Sequence, residues 1–406
     1  MALEGNGAAA TFSTRAHNRR RVVDSLRELG VASRAEIARH TGLSRSTVSS
    51  LVTELRRDSL IVDRPPPAVE DESAQAGRPP NLISLGRRAG AALGVDFGKR
   101  HVAVAVGDLS RTILSEESVQ MQDGYSAEEG MRTAAALIDR TLADSGTERA
   151  AVLGVGVGVP GPIHLPSGQL GSAAILPGWA GLRVAEEMER RVGLPVHVDN
   201  DANLGALAEL HWGAGQGASS LIYMKVATGI GAGLVIDGRI YHGAGGTAGE
   251  IGHTTIDEHG EICRCGSRGC LETLAGAPAI VAMLRGSLGE DITIEDVLER
   301  VAAGDPASTR AIEDSGRHIG STVADACNLL NPERLVVGGS VGQAGEVLLK
   351  GIADGVRRRA IASAAEDLDI RSGVLGERAE LLGAVASALE RVELLPPEGA
   401  RLGTTA

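Results

Sequence analysis

Hydrophobic positions in the N-terminal segment recur with the spacing of an amphipathic α-helix. The first such stretch, HNRRRVVDSLRELG, ends at Gly30, a residue suited to the C-terminal cap of a helix. Its apolar positions are Val22, Val23, Leu26 and Leu29. The pattern therefore predicts one helix within residues 17–30, with a single apolar face.

Two shorter amphipathic stretches follow, each with a start signal. Ser33 and Glu36 in SRAEIARH have the spacing of a capping box, and Ser44 is a capping residue at the start of SRSTVSSLVTELRRDSL. The apolar stripe of the latter consists of Val48, Leu51, Val52 and Leu55. Because Gly42 lies in the turn between them, the two stretches predict a helix-turn-helix.

A pair of short strands is predicted after these helices. LIVD (residues 60–63) and NLISL (residues 81–85) flank RPPPAVEDESAQAGRPP, whose proline, glycine and acidic residues are typical of a long mobile hairpin tip. Residues 17–85 would then form a winged helix-turn-helix. A plain flexible linker is the alternative interpretation of the segment between the strands.

Polar residues of the last helix lie off its apolar stripe and are candidates to read base edges in a DNA major groove. They are Arg45, Ser46, Thr47, Ser49 and Ser50. Arg78 in the wing is a candidate for the DNA backbone or minor groove. Phosphate contacts are assigned to Arg19, Arg20, Arg21, Arg56 and Arg57. The alternative is a three-helix bundle with a solvated arginine face.

Charge separates this head from the rest of the chain. Residues 1–64 contain 11 arginines and seven acidic residues, a net charge of +4, whereas the other residues carry 29 basic and 45 acidic residues, a net charge of −16. A basic head on an acidic body indicates that the head alone meets a polyanion such as double-stranded DNA.

The pattern over residues 90–392 predicts an α/β body. Buried strands end in acidic or glycine-containing turns such as Asp96–Gly98, Asp199–Asp201 and Gly338–Gly339. Aromatic residues make up only 2% of the chain, so the cores must be aliphatic. The glycines of AVLGVGVGVPGPI lie inside a strand and do not open a helix, which excludes a dinucleotide fingerprint. Residues 1–16 and 393–406 are expected to be a disordered arm and tail.

The distribution of cysteine indicates a metal site. The sequence has no long apolar run that could span a membrane, so we expect a cytoplasmic protein in which disulfides are improbable. Cys263, Cys265 and Cys270 follow His253 closely, and such a set of four ligands suits structural, tetrahedral Zn²⁺. His259 is the competing histidine ligand. Cys327 stands alone and is expected to be buried.

Acidic residues beside this cluster are candidates to bind a polyhydroxylated ligand. Glu250 and Glu272 flank the predicted metal segment, and carboxylates can accept hydrogen bonds from adjacent hydroxyls. The alternative is that both are solvated loop acids.

Taken in order, several motifs resemble the ROK family of repressors and sugar kinases. The motifs are GVDFG, VGVPGPI, PGW, DNDAN, TGIGAG, GTAGEIGH, CRCGSRGCLE and LVVGGSV. The resemblance implies a two-lobed actin-like ATPase fold with a sugar in its cleft, and it points to the same four zinc ligands. It also implies that the sugar contacts Asn200, Asp201, Glu250, His253 and Glu272. The N-terminal helix-turn-helix resembles the regulators of this family.

In the kinases of the family, the residue that matches Asp201 is the general base. The resemblance also implies nucleotide contacts at Asp96, Gly98, Thr228, Gly229, Gly338 and Gly339. The first phosphate loop departs from the kinase pattern Asp-x-Gly-Gly-Thr, since Lys99 and Arg100 replace its small residues. These long side chains would crowd the backbone or hold phosphate themselves. Ala227 is a smaller departure.

These features predict a homodimeric or homotetrameric DNA-binding repressor that senses a sugar or sugar derivative. A bifunctional ATP-dependent sugar kinase that also binds DNA is the alternative. A third interpretation is a regulator whose body docks a protein partner.

Overall fold

The structure of the protein is a computed structural model that describes residues 14–58, 60–64, 81–86, 90–165, 167–171, 176 and 178–391. Its α-helices are α1 (Thr14–Leu29), α2 (Arg34–Thr41), α3 (Arg45–Arg57), α4 (Ala127–Ser145), α5 (Val184–Val192), α6 (Asp201–Trp212), α7 (Leu271–Ala275), α8 (Ala277–Leu288), α9 (Ile294–Ala302), α10 (Pro306–Leu330), α11 (Glu346–Arg359), α12 (Ala362–Glu366) and α13 (Ala379–Arg391). Its strands are β1 (Val31–Ser33), β2 (Ile61–Arg64), β3 (Leu82–Leu85), β4 (Ala91–Phe97), β5 (His101–Asp108), β6 (Ile113–Gln120), β7 (Val152–Val159), β8 (Ile163–His164), β9 (Gln169–Leu170), β10 (Val196–Asn200), β11 (Leu221–Val226), β12 (Ile230–Ile236), β13 (Arg239–Ile240), β14 (Arg334–Gly338) and β15 (Asp369–Ser372).

The head is a three-helix unit with a three-stranded antiparallel sheet in the order β1-β3-β2. The predicted helix-turn-helix and both wing strands are confirmed, whereas β1 was missed. The first helix begins at Thr14, so the predicted disordered arm, residues 1–16, is three residues too long at its inner end. The predicted hairpin tip, with Arg78, and the predicted C-terminal tail lie outside the described residues.

Local capping fixes the turn of the helix-turn-helix. Ser33 accepts a hydrogen bond from the backbone N–H of Glu36, and the Glu36 carboxylate accepts one from the N–H of Ser33, as the capping-box spacing predicted. Gly42 ends α2 in the left-handed conformation with φ 67°, and Ser44 caps α3. The angle between the two helices is therefore set by residues whose roles are visible in the sequence.

The body contains two five-stranded sheets built on one scheme. In each sheet, three consecutive strands form an antiparallel meander. The first strand of the meander also pairs in parallel with a fourth strand, and the fourth pairs in parallel with a fifth. The orders are β10-β7-β4-β5-β6 and β13-β12-β11-β14-β15. This repeated α/β topology gives the two lobes of the predicted actin-like fold. None of the described helices is long and apolar enough to cross a membrane.

Two helices fill the space between the sheets. Helix α13 packs on β4 and β7 of the first sheet, α6 packs on β11 and β12 of the second, and the two helices pack against each other. Each lobe has its own hydrophobic core, which is aliphatic in the second lobe as predicted but includes three aromatic residues in the first. A third hydrophobic cluster includes Leu26 and Leu55 of the head together with Val385 and Leu389 of α13. Residues of the head, the first sheet and α13 therefore belong to one hydrophobic cluster.

Strand β7 is rich in glycine because α13 lies directly on its backbone. A Cβ atom added at Gly156 would lie 1.9 Å from the carbonyl oxygen of Ala384, a distance that no side chain can occupy. The neighbouring Gly154 has its nearest such atom at 3.7 Å, an ordinary contact. The sequence prediction that these glycines serve the strand and not a dinucleotide is consistent with this packing.

We expect Gly156→Ala to destabilise the protein by about 1–3 kcal/mol, because the added methyl group overpacks the contact between β7 and α13. Gly154→Ala, two positions along the same strand, is the matched control and should change the free energy of unfolding by less than about 0.5 kcal/mol. Urea unfolding of both variants measures the difference. Equal stability of the two variants would contradict the packing argument.

Candidate functional site

Polar side chains meet where strands of both sheets end. Asp96 lies near the end of β4, Asn200 ends β10, and Asp201 begins α6, while Lys225 lies near the end of β11 on the facing sheet. In open α/β sheets, ligands bind in the crevice beyond the carboxyl ends of the strands. The candidate site is therefore the cleft between the lobes.

Asn200 and Asp201 occupy the mouth of this cleft, but both are already hydrogen-bonded. The Asn200 side chain accepts from the backbone N–H of Ala202 at 2.8 Å and donates to the carbonyl of Gly161 at 3.0 Å. The Asp201 carboxylate accepts from the N–H of Ala202 at 2.9 Å and from Lys225 Nζ at 2.9 Å. Asn200 therefore shapes the loop that follows β7, a role that the sequence did not reveal.

Lys225 is the centre of an ion-pair group that the sequence analysis missed. Its Nζ lies 2.9 Å from Asp201 Oδ2 and 2.9 Å from Oε1 of Glu380, a residue in the first turn of α13. Burial disfavours the charged ammonium, but the two carboxylates outweigh it and hold the pKa of Lys225 well above its ordinary value. A lysine within the otherwise apolar strand LIYMKV was the signal that could have revealed this group.

A second contact between the lobes lies beside the first. His242 Nε2, in the loop after β13, is 2.8 Å from Oδ2 of Asp199 at the end of β10. This hydrogen bond raises the pKa of His242 above its ordinary value. Both lobes are thus bridged by charged groups at the cleft.

The structure brings together the four predicted metal ligands. One ligand atom from each of His253, Cys263, Cys265 and Cys270 lies within 4.8 Å of every other in the group. His259, the competing candidate, is exposed and is not part of this group among the described residues. All three cysteines are free thiols, and Cys327 is buried elsewhere in α10.

The geometry of these ligands fits a tetrahedral ion. Two sulfur atoms bonded to one Zn²⁺ at about 2.3 Å lie about 3.8 Å apart, and the Sγ atoms of Cys265 and Cys270 are separated by 3.7 Å. The backbone N–H of Ser267 lowers the pKa of the Cys265 thiol, which favours the thiolate form that binds metal. Burial raises the pKa of Cys263 to about 12.

The loop that carries the ligands depends on one glycine. Gly269 adopts φ 61°, and a Cβ atom there would lie 1.6 Å from the carbonyl oxygen of Asp257. The same glycine accepts hydrogen bonds from the N–H groups of Ile256 and Asp257 and donates one to Glu261. These bonds hold Cys270 close to the two earlier cysteines.

His253 connects the metal group to the cleft. Its Nδ1 lies 3.5 Å from Cys263 Sγ, whereas its Nε2 faces Glu250 Oε2 at 3.9 Å. In the described part of the chain, the Glu250 carboxylate accepts no hydrogen bond. Burial, followed by the charges of Asp201 and Glu272, raises the pKa of Glu250 to about 6. Glu250 is therefore an acceptor without a donor, at the edge of the cleft.

Glu272, in contrast, is saturated by protein groups. Arg264 donates to both of its oxygens, at 2.9 Å and 2.5 Å, and Cys263 Sγ lies 3.3 Å away. Burial alone would raise the pKa of Glu272, but the hydrogen bonds and charge of Arg264 lower it below its ordinary value. Arg264 lies between two metal-ligand cysteines, and its pairing with Glu272 was not foreseen.

Among the residues matched to nucleotide contacts, the turn at Asp96 and Gly98 is already occupied by a protein side chain. His101 Nε2 lies 2.6 Å from Asp96 Oδ2, and the imidazole ring covers Gly98. Lys99 and Arg100 turn outward to Asp123, at 3.2 and 3.8 Å. The other predicted contacts lie in the turns after β11 (Thr228 and Gly229) and β14 (Gly338 and Gly339).

On the head, the polar face of α3 is largely open. Arg45, Ser46, Ser49 and Ser50 are exposed. Thr47 is half-buried, and its hydroxyl lies 2.8 Å from Ser44 Oγ within the helix cap, so it is less available than its sequence position indicated.

Several arginines assigned to phosphate are engaged within the head. Arg19 pairs with Glu54 and Asp58, and Arg56 pairs with Asp63. Arg57 remains exposed on α3.

The sequence matches the ROK family over residues 92–391 and the crp family of bacterial regulatory proteins over residues 31–61. A xylose repressor of Caldicellulosiruptor bescii is 28% identical over 93% of this chain and 97% of the relative. A solved ROK family transcriptional regulator, a homolog of the E. coli MLC protein, matches with a TM-score of 0.72 and 25% identity over 91% of this chain and 97% of its own. A ROK family glucokinase from Streptomyces griseus, in complex with glucose and AMPPNP, matches with a TM-score of 0.65 and 31% identity over 74% of this chain and 100% of its own.

We expect the purified protein to carry one metal ion per chain and Cys265→Ser to lose it, since one of four ligands is weakened. The melting temperature of this variant should fall with the metal content. Cys327→Ala, which removes a buried thiol outside the group, is the control and should keep a full ion. Elemental analysis and thermal unfolding test this, and a fully loaded Cys265→Ser protein would contradict the assignment.

Proposed function

Because the chain belongs to the ROK family, we propose that it is a DNA-binding transcriptional repressor whose body takes a sugar or sugar derivative as its effector. The observation that carries this proposal is the joining, in one chain, of an exposed polar face on α3 with a cleft that holds Glu250, whose carboxylate accepts no hydrogen bond from the described residues. The xylose repressor of Caldicellulosiruptor bescii has the same extent, since the match covers nearly all of both chains.

The head binds operator DNA through the N-terminal half of α3. Arg45 presents a guanidinium to a base edge, and the exposed hydroxyls of Ser46, Ser49 and Ser50 lie on the same face. Arg57 is available for a phosphate. A homodimer, alone or within a tetramer, would place two such helices on the half-sites of a palindromic operator.

The effector binds against Glu250, Asp201 and Glu272. Glu250 gains a donor when a sugar hydroxyl approaches, which relieves its desolvation, while Asp201 and Glu272 are held in place by Lys225 and Arg264. His253 adds a polar contact through Nε2. Closure of the lobes around the sugar then alters the separation of the heads in the dimer.

Zinc is the metal that we propose for the group formed by His253 and the three cysteines. A closed set of three thiolates and one imidazole leaves no position for water, so the ion serves structure and not catalysis. It orders the segment that holds His253 and Glu272, the two residues that link the metal group to the sugar.

A sugar kinase activity is the second candidate, and the likeness to the glucokinase solved with glucose and AMPPNP favours it. The pairing of the site residues with other protein groups argues against kinase activity. Both oxygens of Asp201 already accept hydrogen bonds, and His101 covers Gly98 in the first phosphate turn. Phosphoryl transfer depends on positioning and charge, so an occupied turn and an engaged base should be severe defects.

We expect Glu250→Gln to bind operator DNA as the parent does but to lose at least tenfold in sugar affinity, because a charged acceptor becomes neutral. Arg45→Ala should show the opposite split, with operator affinity at least fivefold lower and unchanged sugar affinity. The operator is a duplex selected by the protein from random DNA, and the sugars are D-xylose, D-glucose and their amino and N-acetylamino derivatives. A parent protein that neither binds nor responds to any of these sugars would overturn the effector site.

Sugar-dependent ATP hydrolysis or phosphorylation should be slower than about 0.01 s⁻¹, well below the range of about 1–100 s⁻¹ typical of kinases. A coupled ADP assay with magnesium, ATP and the same sugars measures it. Asp201→Asn is the control that attributes residual turnover to this site. Turnover above about 1 s⁻¹ that Asp201→Asn abolishes would make the kinase the first candidate.

A further inference from the structure

Lys225, on a strand of the second sheet, pairs with acidic residues of two different helices. The residue lies on β11 of the second lobe, whereas Asp201 begins the helix α6 and Glu380 lies in the first turn of α13, the helix on the first lobe's sheet. Its ammonium is 2.9 Å from one oxygen of each carboxylate. One cation thus ties the second lobe to the N-terminal ends of both helices between the sheets.

This group is shielded from solvent, so its members depend on one another. The side chains of Lys225, Asp201 and Glu380 are 23, 16 and 7% exposed. A partly buried carboxylate that loses its cation keeps the cost of desolvation without the attraction that offset it. Any change in the position of Asp201 must therefore be transmitted to Lys225, and from Lys225 to Glu380.

Helix α13 begins at this group and contributes to a hydrophobic cluster that includes the head. Glu380 is at its start, and the apolar residues that follow belong to the hydrophobic cluster that also contains head residues. On the helix these are Leu381, Val385, Ala388 and Leu389, and on the head they include Val22, Leu26, Leu55 and Leu85. The helix therefore has one end at the proposed sugar site and apolar residues in the cluster that reaches the DNA-binding unit through the first sheet.

We propose that Lys225 is a positioning residue that orients Asp201 for the sugar and, through Glu380, couples occupancy of the site to α13 and the head. The inference rests on the proposed function, because it specifies how the effector site regulates DNA binding. An additional hydroxyl on Asp201 shares the carboxylate with the ammonium, since a carboxylate has about four acceptor positions. The balance of Lys225 between Asp201 and Glu380 then shifts toward Glu380.

The decisive variant is Glu380→Gln, which keeps the size of the side chain and an acceptor oxygen but removes its charge. We expect this variant to bind the sugar within about threefold of the parent, whereas the sugar-induced change in operator affinity falls at least tenfold. The sugar is whichever of D-xylose, D-glucose and their amino derivatives the parent binds. Calorimetry measures sugar affinity, and fluorescence anisotropy measures operator affinity with and without that sugar.

Glu390→Gln is the matched control. Glu390 is also on α13 and also contacts α6, because its carboxylate lies 2.9 Å from His211 Nε2, but it is at the opposite end of the helix from the cleft. This variant should bind sugar and respond to it as the parent does. If both variants respond equally, Glu380 has no special part in coupling and the proposal is overturned.

Lys225→Met tests the positioning of Asp201. Sugar affinity should fall at least tenfold and the operator response should disappear. Because two shielded carboxylates would then lack a cation, the double variant Lys225→Met/Glu380→Gln is measured with it, and metal content and melting temperature report on folding. Parent-like sugar affinity in either folded variant would refute the role of Lys225. A parent that shows no sugar response refutes the proposed function itself, which separates that failure from a failure of coupling.

Discussion

The close packing of α13 and α6 between the two sheets is the constraint on which the other features depend. Glycine at position 156 lets the backbone of α13 lie directly on β7. Each helix has an acidic residue in its first turn, Asp201 on α6 and Glu380 on α13, and both residues pair with Lys225. Geometry of the backbone thus determines which charges meet in the cleft.

The carboxylates of the cleft differ in whether a protein side chain is already paired with them. Asp96 is paired with His101, Asp201 with Lys225 and Glu272 with Arg264, so three carboxylates already have protein side chains as partners. Glu250 has no donor in the described part of the chain, and burial, followed by the charges of Asp201 and Glu272, raises its pKa to about 6. In the proposed function, a hydroxylated ligand supplies the donor that is missing.

The candidate metal group lies next to the same site, in a segment that has little regular structure. Between β13 and α7 the described chain contains only a short 3-10 turn and isolated bridges. The four candidate ligands lie within this segment, from His253 to Cys270. One ring nitrogen of His253 faces sulfur and the other faces Glu250.

The sequence by itself determined the helix-turn-helix, the α/β class and the metal ligands, because these are encoded by caps, periodicity and spacing over short stretches, such as the 18 residues from His253 to Cys270. Tertiary structure alone decided that Lys225 meets Glu380, that Arg264 saturates Glu272, and that Arg19 and Arg56 pair within the head. Local patterns carry no information about which distant charge will face a buried one. That partner is fixed only when the sheets, and the helices between them, have packed.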